Sequence, residues 1–145
     1  MSLLFQRMAV VGVGLIGGSL AQAVKQRKAV GEILGIGRDA QRLARARERG
    51  IIDAYAARID ETLGGADLVV VATPVGSIVD LIKEMVPFLK EGAIITDAGS
   101  VKTAIVKEAE KFVPGTLHFV GSHPIAGTEN SGFESSFPTL FNDRK

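Results

Sequence analysis

The sequence predicts an α/β domain, doubly wound, with a mainly parallel sheet and helices on both faces. Three observations predict it. Short runs of apolar and β-branched residues recur along the chain. Longer amphipathic stretches separate them, as crossover helices must between parallel strands. The first apolar run ends in Gly12-Val13-Gly14-Leu15-Ile16-Gly17, glycines at the spacing of a tight strand-to-helix turn.

Each element has its own local reason. Met8–Val13 reads as a buried strand, and Leu15 to about Lys28 as a helix with Leu15, Ile16, Leu20, Ala23 and Val24 on one face. Ile33–Ile36 is a second strand. Ala40–Arg49 is a charged helix closed by Gly50. Leu68–Ala72 is the clearest strand, followed by a helix from Val75 to Leu89 with Ile78, Leu81, Ile82 and Met85 aligned. Ala93–Thr96 is a strand, Val101–Phe112 a helix and Leu117–Val120 a strand. Uninterrupted apolar strands of this kind belong to sheets covered on both faces.

Composition sets the outer limits. The 145 residues suit one domain and are too few for an eight-fold βα barrel, which takes about 250. With 46% hydrophobic and 23% charged residues the chain is not a disordered one. A net charge of +1 provides no field to recruit nucleic acid or an anionic membrane. The absence of cysteine excludes disulfides, thiolate zinc sites and thiol catalysis, and it fits a cytoplasmic protein. With only two histidines, the sequence offers no metal cluster. No apolar run has the length of a signal or membrane-spanning segment. The 17 glycines are in excess of the usual share, ~7%, without any repeat, which places them in functional turns.

The glycine turn points to a dinucleotide. Gly12 permits the turn, Gly14 lets the backbone approach a pyrophosphate, and Gly17 lets helix and strand pack closely. The backbone N–H groups of the helix start, at Leu15 and Ile16, face the phosphates. This is the Rossmann-type arrangement; a bare βα turn without ligand is the bland alternative. An acid that binds the adenosine ribose is expected about 20 residues on. Gly37 stands there instead, followed by Arg38 and Asp39, with Arg42 one helical turn later. The cofactor is therefore NAD(P), with a lean to NADP, a 2′-phosphate being suited by Arg38. The alternative is that the arginines form a solvated face and Asp39 caps the helix.

Three later segments follow strands, at the edge where open α/β sheets bind ligands. Thr73-Pro74 follows the best strand, with Pro74 suited to a first helical turn. Asp97-Ala98-Gly99-Ser100-Val101-Lys102 follows the next, where Ser100 is also a natural N-cap. Gly121-Ser122-His123-Pro124-Ile125-Ala126-Gly127-Thr128-Glu129 follows the last. His118, inside a strand, reads as structural. His123, in a Gly/Pro-shaped loop at the ligand edge, reads as a general acid or base.

Gly12–Ser19, Ala72-Thr73-Pro74, Asp97–Lys102 and Gly121–Gly132 together resemble the prephenate/arogenate dehydrogenase family over nearly the whole chain. The resemblance implies NAD(P)-dependent oxidative decarboxylation of prephenate or arogenate in tyrosine biosynthesis. It implies His123 as the catalytic proton acceptor and Ser100 beside the substrate hydroxyl and the nicotinamide, with Glu129 near the mouth of the site. It also implies a helical C-terminal dimerisation domain beyond residue 145, and hence a homodimer in the full-length protein. On that basis residues 1–145 are a truncated dinucleotide-binding domain, inactive alone; by their own apolar bulk Phe133, Phe137, Leu140 and Phe141 need a partner surface, from this domain or from a missing one. The rival readings are another 3-hydroxyacid-type dehydrogenase on the same fold and a non-catalytic dinucleotide-binding module.

Overall fold

In the computed structural model, which describes residues 4–73, 75–97, 113–115 and 117–121, six strands form one sheet. They are β1 (Phe5–Val11), β2 (Val30–Ile36), β3 (Ala54–Ala56), β4 (Leu68–Val71), β5 (Ile94–Asp97) and β6 (His118–Gly121). The order is β3-β2-β1-β4-β5-β6, and every pairing is parallel. Three helices are described: α1 (Leu15–Gln26), α2 (Ala40–Glu48) and α3 (Val75–Met85).

The strand side chains alternate between two separate cores. Met8, Val10, Ile33 and Val70 point to one face, where Ala21 of α1 and Leu43 and Ala46 of α2 cover them together with Ile51 and Ile52. Ala9, Val11, Leu34, Ile36, Val69, Val71 and Ile95 point to the other, under Ile78, Ile82 and Met85 of α3. The period of two in a strand and the i, i+4, i+7 spacing in α3 produce this division directly. Complete burial on both sides over Met8–Val11 and Val69–Val71 explains why these segments of β1 and β4 read as unbroken apolar runs.

Helices α1 and α2 end in the same way. Beyond α1, Lys28 N–H donates to Lys25 O (3.0 Å) and Ala29 N–H to Val24 O (3.0 Å). Beyond α2, Gly50 N–H donates to Arg47 O (3.0 Å) and Ile51 N–H to Ala46 O (3.0 Å). Both are Schellman endings, which need a left-handed residue. Gly50 supplies it with φ 76°, and Lys28 does so with φ 55°.

The amino ends of the strands are tied by polar side chains. Asp67 Oδ2 accepts from Gln6 N–H (2.8 Å) and Arg7 N–H (3.1 Å), and Oδ1 accepts from Lys90 Nζ. Asp53 Oδ2 accepts from Ile33 N–H (2.8 Å), and its Oδ1 lies 2.8 Å from Lys25 Nζ.

Several boundaries differ from those expected. β1 begins at Phe5 and β2 at Val30, because the polar residues Gln6, Arg7 and Glu32 lie in the amino-terminal stretches of these strands. α3 stops at Met85, and Val86–Phe88 tightens into a 3₁₀ turn around Pro87, which cannot continue an α-helix. β3 and a 3₁₀ turn at Glu61–Gly65 were not expected. The helix expected over Val101–Phe112 lies outside the described residues. Among the described residues no helix is long and apolar enough to cross a membrane.

Candidate functional site

The register sets out the ligand edge. Ile36, Val11, Val71, Asp97 and Gly121 form one row across five strands, each paired with the next. The residues that leave this row, Gly37, Gly12 and Ala72 among them, therefore lie at the carboxyl edge of the sheet. The polar ties at Asp67 lie at the opposite edge.

The glycine turn is held from both sides. Gly12 N–H donates to Ile36 O (2.9 Å), and Ala72 N–H donates to Val11 O (2.8 Å). Gly12 has φ 95°, and a Cβ there would stand 2.8 Å from Thr73 Cγ2 and 2.9 Å from Ala72 O. Only glycine meets both demands. A Cβ on Gly17 would stand 2.3 Å from Gly12 O and 2.9 Å from Val10 Cγ1. Gly17 is thus the point of helix–strand approach that the spacing predicts.

Gly14 is the N-cap of α1 and makes no side-chain capping bond, and the first turn carries no acid. The helix start therefore presents its N–H groups, with a positive dipole end, without an anion of its own. Leu15 and Ile16 open this helix. Thr73 closes over Gly12 from the end of β4.

Asp39 is committed locally. Its Oδ1 accepts from Arg42 N–H (3.1 Å), so it caps α2, the alternative weighed for it above. Arg38 is exposed at the same corner. Asp97, fully buried at the end of β5, carries a carboxyl group up to the ligand edge. Gly35 had no role in the sequence reading. A Cβ there would meet Ile52 Cδ1 at 2.7 Å and Val13 Cγ2 at 3.0 Å, so it seats the residue between Gly12 and Gly14. A glycine inside an apolar strand is the signal for such an approach.

The structure thus brings Gly12, Gly14, Gly17 and Thr73 together, with Arg38 and Asp39 at the adjoining corner. Pro74, Ser100, His123 and Glu129 lie outside the described residues.

A family profile described as "Prephenate dehydrogenase, nucleotide-binding domain" matches residues 20–145. The chain belongs to this family. The match begins after the glycine turn, so turn and profile are independent indications. A prephenate dehydrogenase from Lactococcus lactis is 37% identical over 140 residues, covering 94% of this chain and 38% of that protein. A cyclohexadienyl dehydrogenase from Zymomonas mobilis is 35% identical over 139 residues, covering 96% and 47%. The chain therefore spans less than half the length of these curated relatives. Among solved structures, prephenate dehydrogenase from A. aeolicus, in complex with hydroxyphenyl propionate and NAD+, superposes with a TM-score of 0.89 at 34% identity, over 99% of this chain and 49% of that one. Synechocystis arogenate dehydrogenase superposes with a TM-score of 0.87 at 33% identity, over 96% and 48%.

The residues present fit a dinucleotide. The cradle that a Cβ at Gly12 would fill and the uncapped start of α1 are what a pyrophosphate requires.

Proposed function

We propose that this chain is the dinucleotide-binding part of an NAD(P)-dependent dehydrogenase that oxidatively decarboxylates prephenate or arogenate. One observation carries the proposal: a glycine turn built for a pyrophosphate lies at the ligand edge of a chain in the prephenate dehydrogenase nucleotide-binding family. Relatives named prephenate, cyclohexadienyl and arogenate dehydrogenase, one of them in complex with NAD+, support it.

In this proposal Gly12, Gly14 and the N–H groups of Leu15 and Ile16 hold the pyrophosphate. Gly17 keeps α1 against β1, and Thr73 and Pro74 bound the nicotinamide side. The bound nicotinamide supplies a hydride acceptor. Neutral His123 accepts the proton of the ring hydroxyl as hydride leaves the same carbon, and Ser100 orients that hydroxyl or the imidazole. Loss of the ring carboxylate as carbon dioxide then makes the ring aromatic. Arg38, beside a position without an acid, favours NADP over NAD. The full-length enzyme is a cytoplasmic homodimer whose second domain closes the substrate site.

The test is an assay of the full-length protein with prephenate and with arogenate, each with NAD+ and NADP+, following nicotinamide reduction. Turnover of either substrate with release of carbon dioxide is expected. The 145-residue chain alone should bind dinucleotide, measured by calorimetry, without turnover. A full-length protein that binds dinucleotide but oxidises neither substrate would overturn the assignment and favour the non-catalytic reading.

A further inference from the structure

We infer that Gly35 is a positioning residue for the pyrophosphate turn: the space left by its missing side chain seats Val13, and that seat fixes the N–H groups offered to the phosphates. The inference rests on the dinucleotide reading above and adds to it a residue of a neighbouring strand that acts through Val13.

The turn needs such an anchor. Val13 lies between two glycines, whose backbones have little conformational preference of their own. Gly12 N–H is held by Ile36 O at 2.9 Å, and Gly18 N–H donates to Gly14 O at 2.8 Å at the start of α1. Over residues 12–14 Val13 carries the only side chain. It is partly buried and packs against the core under α1 and α2.

Gly35 makes the seat. It pairs with Val10 of β1 and precedes Ile36, so one strand end holds Gly12 by its main chain and receives Val13 by its side chain. The period of two turns position 35 to the same face as Ile33, into that core. A Cβ there would stand 3.0 Å from Val13 Cγ2, 2.7 Å from Ile52 Cδ1 and 3.2 Å from Ile52 Cγ2. The φ of Gly35 lies outside the left-handed region. Space, not conformation, therefore requires glycine in a strand that glycine weakens.

The two neighbours yield differently. Ile52 Cδ1 is the far end of a side chain, although the residue is buried and its backbone is held on either side. Ile51 N–H donates to Ala46 O (3.0 Å) and Asp53 N–H to Ile33 O (2.9 Å). Val13 Cγ2 is bonded directly to the Cβ of a residue stiff at χ1. A push on it passes to the main chain between Gly12 and Gly14. A methyl added at position 35 thus reaches the nucleotide through Val13.

The experiment measures calorimetric Kd for NAD+ and for NADP+, and thermal unfolding without ligand, in the protein and three variants. Gly35→Ala should weaken both nucleotides by the same factor, tenfold or more, because the pyrophosphate is common to them. Gly35→Ala/Val13→Ala removes the Val13 γ-methyls and should recover most of that affinity. Gly35→Ala/Ile52→Val removes Cδ1 alone and should recover Tm without recovering affinity. A glycine needed only for packing would make affinity follow Tm through the whole set, and that result would overturn the inference. A loss confined to one nucleotide would do the same. Where Gly35→Ala alone does not fold, the two double variants decide, and equal affinity in them ends the proposal. A wild type that binds nucleotide beside a Gly35→Ala variant of equal affinity would remove only the role of Gly35. A wild type that binds neither nucleotide would instead overturn the dinucleotide reading, and this inference with it.

Discussion

A Cβ on Gly17 would stand 2.3 Å from the carbonyl oxygen of Gly12. The oxygen is backbone and the Cβ position is fixed by the backbone, so no rotamer change relieves the overlap. Gly17→Ala should therefore push α1 away from β1 at a cost of about 1–3 kcal/mol. The expected outcome is a Tm lower by several degrees and dinucleotide affinity reduced beyond detection in calorimetry. Wild-type Tm and affinity in this variant would show that the turn is not under the constraint described.

The two Schellman endings make a matched pair of opposite predictions. Lys28 holds a left-handed φ that an L side chain resists, and Gly50 holds a similar φ without that resistance. Lys28→Gly should raise stability by about 0.5–1 kcal/mol, and Gly50→Ala should lower it by about 1 kcal/mol. Urea midpoints of the two variants provide the comparison, and a shift of the same sign in both would contradict it.

Asp67 links stability to pH. The hydrogen bond from Lys90, then the Arg7 and Gln6 N–H groups and the Lys90 charge, hold its carboxyl below the ordinary value of 3.8, against a smaller upward push from burial. A carboxylate held low contributes stability that is complete above the ordinary value and is lost as pH falls through the lower, folded-state value. The urea midpoint of the wild type should thus fall more steeply below about pH 4 than that of Asp67→Asn. Asp60, also held low by Thr62, is common to both proteins, so the difference isolates Asp67. Parallel acid limbs would remove Asp67 from this role.

The proton acceptor is testable in the full-length protein. His123→Asn should lower kcat by about 10²–10⁴ while dinucleotide affinity stays near the wild-type value. Wild-type activity should also decline as pH falls through the histidine pKa, because the acceptor must be neutral. A variant with nearly normal kcat would exclude His123 from proton transfer.

What the sequence made legible followed from burial. β1, β2 and β4 are covered on both faces over Met8–Val11, Ile33–Ile36 and Val69–Val71, and those segments stood out as apolar runs. Gly12 and Gly17 were legible because their spacing is dictated by a close approach that any pyrophosphate turn shares. β3 was not, since Ala54-Tyr55-Ala56 is three residues long and exposes Tyr55, too little for a periodicity. The Ile36–Gly12 hydrogen bond was illegible in principle, because main-chain bonds leave no mark on residue type. Asp39 showed the ambiguity of an acid at a helix start beside a ligand edge: the same residue type serves as cap and as ribose contact, and the structure shows the cap, made through Oδ1.

The polar tie at Asp67 and the glycine turn lie at opposite ends of the same strands. Met8 to Val11 pairs with Leu68 to Val71 between them, a span of about 10–13 Å. The residues whose tie between β1 and β4 is lost in acid are thus not the residues proposed to meet the nucleotide. Substitutions at Gln6, Arg7, Asp67 or Lys90 and substitutions at the turn are far enough apart to combine additively. A lineage carrying this sheet is therefore free to drift in acid tolerance without retuning its cofactor, and free to change cofactor without first rebuilding its foundations.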